Sequence, residues 1–207
     1  MTTTLSDEAQ RTAPLALWRY AHEYLRAARG LCREISVRCS ESQVPYHIAA
    51  QGIEFALKAF LRARGVTMTE LRDEVGHSLL AALTRSEALG LPAMPRRCRE
   101  AIADVAPCHQ NGQFVYLDTP IKALPDVGPL VDAGVWILDR IAPDVVEHFV
   151  QHLAGDASPT VPEFLQRMRA DLSATSDIVN AQPSAAAVAA PGGGAATQGA
   201  AARSRRP

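Results

Sequence analysis

Apolar residues in the first part of the chain recur in the spacing of one helix face. Trp18, Ala21, Leu25, Ala28, Cys32, Ile35 and Cys39 follow at alternating steps of three and four, while Arg19, Glu23, Arg26 and Arg33 fall on the wet side. This predicts a helix starting near residues 12–14, where Pro14 suits a first turn. The repeat lasts about three heptads, the minimum for a coiled coil, so a core helix of a bundle is expected.

A second helix is predicted from Pro45 to Arg64, with Gly65 as its stop. Ile48, Gly52, Phe55, Ala56, Ala59, Phe60 and Ala63 form one apolar stripe, and Ile53, Leu57 and Leu61 a second. A helix apolar over so much of its circumference belongs at the centre of a bundle. Its polar exceptions, Gln51, Glu54, Lys58 and Arg62, lie along one narrow line, with Glu54 and Lys58 in the favourable i,i+4 order.

A polar loop carrying Arg72 to His77 is expected next, then a third helix over residues 78–89 with Leu79, Ala82, Leu83 and Leu89 inward. Gly90 and Pro92 end it. A short fourth helix runs from Pro95 and stops before Pro107, with Cys98, Ile102 and Val105 toward the core and Arg96, Arg97 and Arg99 making it locally basic. Residues 107–125 read as an irregular connection holding Phe114, Val115 and Tyr116. A loop that long in a compact domain is usually functional or packs as a unit. A fifth helix starts at Asp126, with Leu130, Gly134, Ile137, Leu138 and Ile141 in register, and Pro143 is expected to kink or divide it. Phe164, Leu165 and Met168 mark a last amphipathic segment over residues 162–172, which would dock on the domain or on a partner.

These elements predict an all-α bundle of about five helices with an extra C-terminal helix. The organisation expected is a flexible N-terminus (1–12), a helical domain (13–155), an accessory amphipathic helix (156–178) and a disordered tail (179–207) rich in Ala, Gly and Pro. Such a tail buries too little apolar surface to offset its ordering entropy. At 207 residues the chain suits one domain with extensions.

Charge changes the picture little. Lys and Arg number 21 against 22 Asp and Glu, so any grip on nucleic acid has to come from a local patch. None of Cys32, Cys39, Cys98 and Cys108 forms a CxxC pair, and Cys98, Cys108 and His109 lack an evident fourth ligand. No metal or cofactor is expected. The N-terminal residues lack the basic and apolar regions of a signal peptide, and no apolar run is long enough to span a membrane; a cytoplasmic protein with free thiols is the expectation. No Gly-rich phosphate loop, nucleophile elbow or HExxH motif occurs.

The run His47-Ile-Ala-Ala-Gln51-Gly-Ile-Glu54-Phe-Ala-Leu57-Lys58-Ala59-Phe-Leu61, continued through Gly65 to Gly76-His77-Ser78-Leu79-Leu80, resembles the HEPN family over about forty residues. That family shows Gln-x-x-Glu-x-x-Leu-Lys-Ala on a helix, a loop, then His before a leucine-rich helix. The resemblance implies a helical bundle that dimerises or sits beside a nucleotidyltransferase partner, in a toxin–antitoxin or defence setting, and binds RNA, nucleotide or protein. RNA-cleaving members carry Arg-x(4–6)-His late in the chain. Here Arg140 to His148 is too widely spaced, Val115-Tyr116-Leu117 stands where a related branch has Arg-Tyr-Pro, and the in-register pair is Arg72 to His77.

Two readings of that pair follow, besides ligand binding without catalysis. In one, His77 is the base that takes the 2′-hydroxyl proton and Arg72 grips the phosphate, giving a metal-independent endoribonuclease. In the other, His77 hydrogen-bonds to Glu54 or Gln51 near the start of the third helix, and Arg72 is a solvated loop residue. The expected ligand-binding residues are Gln51, Glu54, Lys58, Arg96, Arg97, Arg99 and Tyr116. The arginines suit phosphate contacts and the tyrosine suits base stacking. Each has a bland alternative: an ordinary helix ion pair for Glu54 and Lys58, a solvated face for the arginines, loop packing for Tyr116 and loop polarity for His109. A structural helical adaptor is the remaining functional class.

Overall fold

A computed structural model describes residues 13–35, 42–114 and 126–152. The N-terminal stretch, the accessory segment, the tail, Cys39 and Tyr116 lie outside them. Among the described residues six helices make up an all-α bundle: α1 (Pro14–Ile35), α2 (Val44–Ala63), α3 (Met68–Glu70), α4 (Leu79–Ala88), α5 (Arg96–Gln110) and α6 (Gly128–His152).

The three- and four-residue spacing of α1 buries Trp18, Ala21, Leu25 and Ala28 almost completely. Helix α2 is the central element and packs against α1, α4, α5 and α6. Its small residues allow close approach. A Cβ on Gly52 would lie 2.8 Å from Leu25 Cγ, and one on Gly134 of α6 would lie 2.3 Å from Leu25 Cδ2. Leu25 therefore fills a notch that two glycines open on facing helices. Trp18 Nε1 donates to the Leu138 carbonyl at 3.3 Å, so α1 runs antiparallel to α6. Gly65, at φ 87°, ends α2 as expected.

Three expectations are corrected. The polar loop before His77 is helical: Thr67 and Glu70 form a capping box, and the chain then widens into a π-type turn, Leu71–Val75, closed by Gly76 N donating to the Leu71 carbonyl at 2.8 Å. Leu71 and Val75 are its buried residues. Helix α5 does not stop before Pro107 but continues to Gln110, burying Cys108 and His109. Leu89 is not inward; it is 37% exposed, just past the end of α4, where Leu79, Ala82 and Leu83 are buried. Pro143 lies within α6 and does not divide it. No helix among the described residues is long and apolar enough to cross a membrane.

Candidate functional site

The polar line on α2 converges on one buried carboxylate. Glu54 occupies the middle of the most apolar helix, with its side chain 3% exposed. Lys58, one turn later, brings Nζ to 2.6 Å from Glu54 Oε1. His77, set by the π-type turn and Gly76, brings Nδ1 to 3.1 Å from Oε1 and 3.3 Å from Oε2. His109 on α5 brings Nε2 to 2.6 Å from Oε2. A single carboxylate thus ties three segments of chain together.

Burial alone would raise the Glu54 pKa. Hydrogen bonds from His109 and Lys58, with the charges of Lys58 and His77, outweigh it and hold the carboxyl at about 2. Glu54 is ionised throughout the neutral range, so its role is to accept and orient.

The two histidines differ sharply. His77 is 74% exposed at the side chain, and its Nδ1 contact leaves Nε2 as the ring nitrogen available to a ligand. His109 is 4% exposed, and its Nδ1 is buried without a hydrogen-bond partner. The charged form of His47, at the start of α2, is disfavoured by burial and then by His109. Phe114 closes this end of the cluster, its ring 6.5 Å from Tyr46 and 6.3 Å from His47.

Of the residues expected from sequence, Glu54, Lys58 and His77 come together. The contact of His77 with Glu54 is the partner expected in the second reading of that histidine. Gln51 is half-buried one turn away from Glu54 on α2. Arg72 is exposed on the π-type turn, with no hydrogen bond or ion pair to a described residue. Arg96, Arg97 and Arg99 stand at the opposite end of α5 from His109, at least about 15 Å along its axis. Each is engaged by a carboxylate: Arg96 with Glu100 at 2.7 Å, Arg97 with Asp132 at 3.1 Å, and Arg99 with Glu87.

His109 is the residue that sequence reasoning missed, expected as loop polarity and found as a buried partner of Glu54. The signal was present, since Cys98, Ile102, Val105 and His109 keep one helix face through Pro107. Among the described residues, no group of three or more His, Cys, Asp or Glu is arranged to hold a metal ion.

Neither a family model nor a curated protein nor a solved structure matches the chain.

Proposed function

We propose that the chain is a HEPN-like helical module that binds a phosphate-bearing ligand, RNA or nucleotide, at the corner formed by His77, Arg72 and Lys58, without cleaving it. The observation that carries this reading is the exposed imidazole of His77 held at Nδ1 by the buried Glu54 carboxylate. An imidazole on the turn just before α4, tied at one nitrogen to a buried carboxylate, keeps its other nitrogen aimed outward at reduced entropic cost. Arg72, exposed five residues earlier, has its guanidinium available for a phosphate. The arginines of α5, by contrast, are occupied by neighbouring carboxylates.

Binding rather than cleavage is favoured by the chemistry of the cluster. In-line attack of a 2′-hydroxyl needs a base and a second group to protonate the leaving oxygen. Glu54 accepts from three side chains and has a pKa of about 2, so it supplies neither. A nucleotidyltransferase or second HEPN chain as protein partner rests on the sequence resemblance.

One feature favours a second reading, a metal-independent endoribonuclease. A carboxylate at Nδ1 is the arrangement that readies the opposite nitrogen of a histidine as a base. Labelled single-stranded RNA and ATP, titrated in chelator against wild type, Arg72→Ala and His77→Ala, separate the two. Binding reading: affinity falls about tenfold in each variant, close to 1.4 kcal/mol, and the RNA stays intact. RNA cut by the wild type and spared by His77→Ala establishes the nuclease. Equal binding by all three proteins, with the RNA intact in each, overturns both.

A further inference from the structure

Among the described residues, the outer groove between α1 and α2 is exposed and largely apolar, with Gln51 the polar residue between Ile48 and Phe55 on its α2 wall. Tyr20 and Tyr24 of α1 meet Phe55 of α2 with ring centroids 6.0 and 5.5 Å apart, and Tyr20 remains 48% exposed. The same antiparallel register carries the groove along to Leu31 on α1 and to Ile48 and Val44 on α2, where Val44 is 53% exposed. Helix α6 packs on both α1 and α2 through Leu25, whose side of α1 is turned away from this groove.

We propose that residues 162–172 of the same chain occupy this groove as a helix. In that stretch Phe164, Leu165, Met168 and Leu172 fall at i, i+1, i+4 and i+8, one face of a helix, with Asp171 at its edge beside Phe164 and Glu163, Gln166 and Arg167 off it. An amphipathic segment of this kind needs an apolar surface to fold against. Length also fits: eleven helical residues span about 16 Å, the distance along α1 from Tyr20 to Leu31.

Reach decides the occupant. Trp18 touches Leu138, and α1 and α6 are antiparallel, so His152 lies about 24 Å along the bundle axis from Tyr20. The nine residues 153–161 cover up to about 30 Å when extended, enough to bring Phe164 back to Tyr20. A tether this short gives a local concentration in the millimolar range, roughly a thousandfold above a second copy at micromolar concentration. The segment therefore outcompetes an intermolecular partner of similar intrinsic affinity.

Hydrogen exchange on the full chain tests this. In the wild type, amides 164–172 are expected to exchange about tenfold or more slowly than free chain, at a rate independent of protein concentration. Tyr20→Asp and Phe164→Asp each return them to the free-chain rate while the amides of α2 stay protected. If Tyr20→Asp disturbs α2, Val44→Asp reads the same docking from the other wall. Free-chain exchange in the wild type overturns the proposal, as does protection that survives both Phe164→Asp and the groove variant. Protection that disappears on dilution together with a dimer in sedimentation assigns the groove to a second copy and overturns it as well.

Discussion

Glu54→Gln isolates the electrostatics of the bundle's centre. The substitution keeps shape and removes the charge that Lys58, His77 and His109 share. Holding a carboxyl at about 2 instead of 4.5 corresponds to roughly 3 kcal/mol in favour of the ionised folded state. The unfolded chain binds this proton more tightly than the folded one. The contribution is therefore complete above pH 4.5 and is lost as pH falls from 4.5 toward 2. At neutral pH the variant also replaces the carboxylate oxygen that His109 Nε2 meets at 2.6 Å inside the bundle. Urea denaturation followed through the fluorescence of Trp18 and Trp136, at several pH values, reads the loss. The expected result is a wild type more stable than Glu54→Gln by about 3 kcal/mol at pH 7, with the gap closing by pH 2. Other carboxylates titrate in both proteins and cancel in the difference. Parallel curves from pH 7 to pH 2, or equal stability at pH 7, refute the assignment of Glu54 as the ionised centre.

Gly134→Ala should lower stability by about 1–2 kcal/mol in thermal or urea unfolding, because its Cβ would meet Leu25 at 2.3 Å and overpacking outweighs the gain in helix propensity. In a Leu25→Ala background the same change should become neutral or stabilising, the sign that the contact itself is responsible. Ser78→Ala removes the side chain that accepts from Ala81 N at 3.2 Å at the start of α4, and should cost about 1 kcal/mol in the same assay. Arg96→Ala and Arg97→Ala should leave both the melting temperature and RNA affinity unchanged, since these exposed ion pairs lie at the far end of α5 from His109.

The helices were legible where apolar periodicity and stop signals agreed. Trp18, Ala21, Leu25 and Ala28, Ile53, Ala56, Leu57, Ala59, Phe60 and Leu61 of α2, and Leu130, Ile137, Leu138 and Ile141 are buried as their spacing required, while Ile48 and Phe55 are half-buried. Legibility failed where local punctuation was allowed to override period. Pro107 costs α5 one backbone donor, yet Cys108 and His109 continue the face of Cys98, Ile102 and Val105, and burial holds the helix through it. The segment before His77 reads as polar loop by composition, but Thr67-x-x-Glu70 is a capping box, and Leu71 and Val75 one turn apart supply an apolar anchor. The candidate site was half visible. Glu54, Lys58 and His77 share a compact stretch of chain, whereas His109 joins them from 55 residues away, a contact that tertiary packing alone creates. The arginines of α5 were a cluster in sequence and became separate ion pairs because their carboxylates come from α4, α5 and α6.

The most direct measurement is the anisotropy titration of labelled single-stranded RNA with wild type and His77→Ala in chelator, followed by electrophoresis of the same RNA. The expected result is saturable binding by the wild type, about tenfold weaker binding by the variant, and intact RNA in both. Binding that ignores His77, or RNA cut by the wild type alone, contradicts a phosphate-binding, non-cleaving module at the Glu54–His77 corner.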